Sequence, residues 1–181
     1  MHIYAGIDLA ALPKNPTGMA SYDGTRFKCD TLKDDVSILN FIDALKPCVV
    51  AIDAPLTLPR GRCCFDDDCC GPAKIRQCDR MLISRGYRVF PPGYSFMKQL
   101  TIRGKHLRER LEDTGYRVIE THPRTAKKIL GLGEKSLDTG AKSEHEFDAC
   151  MCAIVAMYYD LGMYEELGDD EGVVVIPRAH G

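Results

Sequence analysis

The sequence predicts a mixed α/β domain: three antiparallel strands followed by parallel ones, with helices on both faces of the sheet. Three observations carry this. An N-terminal stretch of alternating character is divided by Asp23-Gly24, a dipeptide suited to a tight hairpin turn. The run Val49-Val50-Ala51-Ile52 is apolar throughout, as a strand buried on both faces must be. Later segments alternate between helical spacing of apolar residues and short β-rich runs, which is the sign of a layered α/β fold.

The elements follow in order. Residues 3–9, 18–22 and 26–32 read as an antiparallel meander. Asp34 or Asp35 can cap a helix in which Val36, Leu39, Ile42 and Leu45, three residues apart, form the apolar stripe; Pro47 ends it. Residues 48–53 are the fourth strand. After an irregular stretch with prolines and cysteines, residues 74–85 and 97–113 read as helices, the second turning Leu100, Leu107 and Leu111 inward. Residues 116–120 are a fifth strand, and Pro123 is placed to open a short helix that stops near Gly131. Residues 142–161 are a long helix with Phe147, Met151, Ile154, Tyr158 and Leu161 on one stripe, small Ala149, Ala153 and Ala156 allowing close packing, and Gly162 closing it. Residues 173–176 read as a final edge strand. With no repeat or linker, residues 1–181 form one expected domain, carrying a Cys-rich basic insertion at about 60–96.

At 181 residues the chain is long enough to bury a core without staples, and its 45% hydrophobic content excludes a disordered polymer. It shows no basic leader, and no apolar run approaches the roughly 20 residues that span a bilayer, so the expectation is a cytoplasmic protein without membrane association. Nine cysteines, an odd number packed mostly into one segment, suit a reducing compartment and a possible metal site better than a disulfide framework. The net charge of -2 conceals an asymmetry. From Arg60 to Arg110 there are 12 Lys and Arg against five Asp and Glu, so this segment is +7 and the rest -9. Cations beside an acidic site suit a phosphate-bearing partner such as DNA or RNA; the plain alternative is a solvated helical surface.

The acidic site is suggested by Gly6-Ile7-Asp8-Leu9-Ala10 and Val49-Val50-Ala51-Ile52-Asp53, in which an apolar strand ends in one aspartate. A buried carboxylate without a partner costs several kcal/mol, so a partner such as a metal ion is implied. The element order suggests a ribonuclease-H-like arrangement, in which the first and fourth strands lie side by side and bring Asp8 next to Asp53. Glu120 ends the fifth strand in the same apolar-to-acidic manner. His145 and Asp148, three apart, share one face of the last helix. These residues could hold Mg²⁺ or Mn²⁺, hard ions that prefer oxygen ligands, for hydrolysis of a phosphodiester. In that reading Asp8, Asp53, Glu120 and Asp148 are catalytic and His145 joins them as a ligand. Arg76 and Lys142 would contact phosphate.

The set GIDLA, AIDAPLTLP, RQCD, VIETHP and EHEFDACMCA, in that order over most of the chain, resembles the predicted-nuclease family catalogued as domain of unknown function number four hundred and twenty-nine. The resemblance implies a ribonuclease-H-like fold, with Asp8, Asp53, Glu120 and Asp148 at the family's acidic positions. His145-Glu146-Phe147-Asp148-Ala149 also resembles the last-helix metal motif of RuvC-type Holliday junction resolvases.

Each residue has a structural reading as well. Asp8 and Asp53 could cap strand ends, Glu120 could cap the helix after Pro123, Arg76 and Asp79 could form an ion pair, and His122 reads as a satisfied loop histidine. Cys63, Cys64, Cys69, Cys70 and Cys78 place five thiols in 16 residues, a density that suits structural Zn²⁺, although the spacing is not that of paired CxxC motifs and disulfides or free thiols compete with it. Cys150 and Cys152 read as small core residues. Beside the metal-dependent nuclease, two other functions fit: a non-catalytic ribonuclease-H-like module that binds nucleic acid or protein, and a phosphotransfer enzyme of the sugar-kinase and actin type. The latter is weakened by the chain's length and the lack of a glycine-rich phosphate loop.

Overall fold

A computed structural model describes residues 2–66 and 71–178. Seven strands form one sheet: β1 Tyr4–Asp8, β2 Thr17–Tyr22, β3 Phe27–Leu32, β4 Val49–Asp53, β5 Val118–Thr121, β6 Tyr164–Asp169 and β7 Gly172–Pro177, in the order β3-β2-β1-β4-β5-β7-β6. The β1–β2 and β2–β3 pairs are antiparallel, while β1–β4, β4–β5 and β5–β7 are parallel. This is the mixed, ribonuclease-H-like sheet expected. Five helices accompany it: α1 Asp35–Leu45, α2 Gln77–Ser84, α3 Lys98–Asp113, α4 Pro123–Leu130 and α5 Glu144–Asp160.

Alternation along the strands builds two cores. Ala5, Ile7, Val50 and Ile52 pack with Ile38 and Ile42 of α1 and Leu107 and Leu111 of α3. Tyr4, Val49 and Ala51 face the other way, against Phe147, Met151, Cys152 and Val155 of α5. Cys150 and Cys152 are fully buried, as expected of small core residues. Among the described residues no helix is long and apolar enough to cross a membrane.

The expectation fails in instructive places. In α1 the fully buried residues are Ile38 and Ile42, four apart, while Val36 is 60% exposed. Asp34 caps the helix through Ser37 N at 2.9 Å, which puts Val36 in the first turn on the solvent side. Residues 173–176 are not an edge: β7 lies between β5 and the unforeseen β6, which pairs with it antiparallel. β6 reads Tyr-Glu-Glu-Leu-Gly-Asp and fully buries only Leu167, so it lacks the branched residues that mark a strand.

Candidate functional site

β1 and β4 end together, and Asp8 and Asp53 are register partners on these parallel neighbours. Strand alternation sends Tyr4, Gly6 and Asp8, with Val49, Ala51 and Asp53, to the α5 face. The helix comes unusually close because glycines clear its path. A Cβ at Gly6 would lie 1.9 Å from the Ala149 carbonyl oxygen, and one at Gly18 would lie 2.1 Å from that of His145. The start of α5 is fixed further. Ser143 Oγ accepts from Glu146 N at 3.2 Å, and the buried Glu146 carboxylate accepts from Thr31 Oγ1 at 2.8 Å and Lys142 N at 2.7 Å. Its first turns therefore carry His145 and Asp148 to the strand ends.

His145 Nδ1 stands 2.6 Å from Asp8 Oδ2, and Lys127 Nζ donates to Asp148 Oδ1 at 2.6 Å. Asp53 keeps some solvent contact but is densely surrounded, and its carboxylate makes no hydrogen bond or ion pair among the described residues. Burial holds its carboxyl well above the usual range, and the charges of Asp8, Asp148 and Glu120 push in the same direction. Burial also raises Asp8, against the hydrogen bond and charge of His145. The cluster thus favours a proton or a cation.

These carboxylates line a cleft of about 210 Å³ that also takes in His122, Arg88 and Arg124. His122 Nδ1 lies 2.7 Å from Thr125 Oγ1, and burial, followed by the charges of Arg124 and Lys127, lowers the imidazole to about 4. It is neutral at physiological pH. A larger cavity of about 860 Å³ is formed by residues 134–144 and Phe147. Lys142 lines that cavity and is not among the residues lining the acidic cleft.

Glu120 and Arg76 line the same cleft, but each is already engaged within the protein. Glu120 is the register partner of Ile52, one residue out of phase with Asp53, and so belongs to the opposite face of the sheet. There its two oxygens accept from Arg76 Nη1 at 2.8 Å and Nη2 at 2.6 Å, and Leu56 N donates at 2.7 Å. Arg76 completes its set with Asp79, through Nε at 3.2 Å and Nη2 at 2.9 Å, and with Thr57 Oγ1 at 2.9 Å. The structural pairing of Arg76 with Asp79 is real and extends to Glu120. A guanidinium that is 1% exposed with every N–H engaged has no donor left for a phosphate.

Of the cysteines read as zinc ligands, Cys69 and Cys70 lie outside the described residues. Cys63 and Cys64 are adjacent in a loop, with sulfurs 3.9 Å apart; Cys63 is disulfide-bonded, so its sulfur is not a free thiolate for zinc, while Cys64 is not in a disulfide. Cys78 is elsewhere: it is fully buried among Leu82, Leu167, Val174 and Ile176, and burial raises its thiol above the ordinary value. It packs as a core residue. Among the described residues no group of three or more His, Cys, Asp and Glu side chains forms a ready-made metal cage. Lys127, which the sequence reading missed, carries no distinguishing local signal; only the packing of α4 on α5 reveals it.

The sheet order and register define a ribonuclease-H-like α/β domain whose distinguishing feature is the Asp8, Asp53 and Asp148 cluster. Compared with protein-family models, curated proteins and solved structures, the chain gives no match.

Proposed function

We propose that the chain is a metal-dependent phosphodiester hydrolase acting on nucleic acid. The observation that carries this is the pairing of Asp8 with Asp53 at parallel strand ends, where Asp148 adds a third mutually repelling carboxylate. Their donor chemistry fits Mg²⁺ or Mn²⁺: hard oxygens, a half-buried Asp53 whose carboxylate has no hydrogen-bond or ion-pair partner among the described residues, with Lys127 acting on it only at longer range, and two carboxyls held above their usual range. Asp8, Asp53 and Asp148 would hold the metal. Bound there, it would supply an activated water and charge stabilisation of the leaving oxygen. The chain's own groups do the rest. His145 orients Asp8, Lys127 fixes Asp148 and brings a positive charge to the cleft, and neutral His122 adds no charge of its own. Arg88 and Arg124, which form no ion pair among the described residues, are placed to take phosphate oxygens.

Asp8→Asn and Asp148→Asn are expected to lower Mg²⁺- or Mn²⁺-dependent cleavage of a DNA and RNA panel about a hundredfold or more, with the thermal transition preserved. Unchanged cleavage in either variant overturns the reading.

A second reading, a non-catalytic binding module, draws on the same contacts. Two of the three carboxylates already have a cationic or hydrogen-bonding neighbour in Lys127 and His145. It predicts nucleic-acid or protein binding with no turnover and no calorimetric signal when Mn²⁺ is added.

A further inference from the structure

Beside the carboxylates, three large rings stand in solvent: Phe90 is 48% exposed, Tyr94 38% and Phe96 61%. They form a row. Phe90 lines the acidic cleft, Phe96 meets it edge-on with centroids 5.4 Å apart, and Tyr94 stands 6.0 Å from Phe96. Their exposure is not slack in the backbone beneath them. Pro91, Pro92 and Gly93 are buried, Gly93 N donates to Lys74 O at 3.0 Å, and Tyr94 N donates to Pro91 O at 3.2 Å. A Cβ at Gly93 would lie 2.4 Å from the Lys74 Cα, so the segment is pressed against its neighbour while its rings face out. Neither core packing nor the turn at residues 91–94 requires aromatic side chains here.

We propose that Phe90, Phe96 and Tyr94 are a stacking platform for unpaired bases, so that the preferred ligand of the cleft is single-stranded nucleic acid or the unpaired segment of a structured one. The proposal rests on the nucleic-acid reading above and deepens it. Bases present apolar faces at intervals along an anionic backbone, and the site matches both features. The rings adjoin the cleft through Phe90, and Arg88 and Arg124 line the same cleft as free cations among the described residues. Aromatic faces beside arginines are what sequence-tolerant single-strand binding uses. A duplex, with its bases stacked on each other, offers the rings no free face. A protein partner or a second copy of this chain would use the apolar rings but would leave the two arginines without a stated role.

The test separates binding from cleavage. Fluorescence anisotropy is measured in EDTA with the wild-type protein and labelled 12-mers: a single strand, the same strand with every base removed, and the blunt duplex. The single strand is expected to bind at least about fivefold more tightly than the abasic strand, the smallest effect of one stacked base. Phe90→Leu and Phe96→Leu, which keep apolar bulk and remove the ring, should each lose about fivefold or more for the single strand alone, and Phe90→Tyr should restore it. Equal affinity for the single and abasic strands overturns the platform. So does concentration-dependent self-association, in light scattering, that Phe96→Leu abolishes without changing oligonucleotide affinity. The hydrolase reading fails separately: base-dependent binding with no Mn²⁺-dependent cleavage removes the enzyme and leaves the platform, whereas cleavage by a protein indifferent to bases does the reverse.

Discussion

Arg76 is 1% exposed and faces two carboxylates, Asp79 and Glu120, in a site that water scarcely reaches. Such a network is not strong evidence of net stabilisation, because desolvating three charges costs about as much as their attraction returns. Removing one member is another matter. Arg76→Met leaves Asp79 and Glu120 facing each other unneutralised, and a loss of about 3–5 kcal/mol is expected in urea denaturation. Arg76→Lys should recover only part of it, since an ammonium cannot reproduce the fork that reaches both carboxylates. His122 gives a pH dependence whose sign follows from its lowered value. Between the unfolded value of 6.5 and the folded value of about 4, the unfolded chain binds more protons. Stability contributed at this site is therefore complete above pH 6.5 and falls as the pH drops toward 4, by about 3 kcal/mol over that interval. Asp8 and Asp53, both raised, act in the opposite direction in acid, so the quantity to measure is the difference in unfolding free energy between wild type and His122→Asn. That difference should change between pH 6.5 and 4 and be flat above; a constant difference would show that His122 is not held neutral by its surroundings.

Between elements, the site depends on the distance from α5 to β1. At Gly6 the added methyl of alanine would meet the Ala149 carbonyl oxygen at 1.9 Å and Ala153 N at 2.4 Å, both backbone atoms that cannot rotate away. Gly6→Ala is expected to cost about 3 kcal/mol or more and to reduce any metal-dependent cleavage further than the lost stability explains, because His145 and Asp148 move with the helix. Its midpoint in urea and its activity well below that midpoint give the two numbers. The same element shows what a sequence can carry. Ala149, Ala153 and Ala156 announce close packing on their own helix, and the paired Asp8 and Asp53 follow from two strands of like pattern. The pairing of Glu120 does not follow, because an apolar run ending in an acid says nothing about phase between strands; a shift of one residue turns its side chain to Arg76, although it still lines the cleft. β6 was illegible for a different reason: its pairing with β7 supplies the strand, while its own residues have little preference for one. Lys127 and Arg76 were assigned by partners distant in sequence, at Asp148 and Glu120, which only the folded chain brings near.

Across the whole molecule, part of the charge asymmetry of the sequence is met by ion pairs within the chain, most of them at the surface. Six cations of the basic segment meet acids in the described structure: Arg60 with Asp169 and Asp170, Arg76 with Asp79 and Glu120, Arg85 with Glu165, Arg103 with Asp35, Lys105 with Glu109, and Arg108 with Glu112. Two of these, Arg60 and Arg85, join the basic segment to the acidic C-terminal hairpin, so part of the segment's excess charge is met within the chain. A surface of seven cooperating cations would give single-strand binding a slope of about -5 in log K against log salt, from roughly 0.7 per phosphate contact. The cleft instead offers Arg88 and Arg124, and two contacts correspond to a slope of about -1.4. Anisotropy titrations of a single-stranded 12-mer in EDTA from 50 to 200 mM salt measure it directly. Arg88→Ala and Arg124→Ala should each flatten the slope by about 0.7, while Arg85→Ala, whose guanidinium is held by Glu165 at 2.6 Å, should leave it unchanged. A slope near -5 that Arg85→Ala also reduces would mean that the surface pairs open on binding, and that the basic segment, rather than the two arginines of the cleft, receives the phosphates.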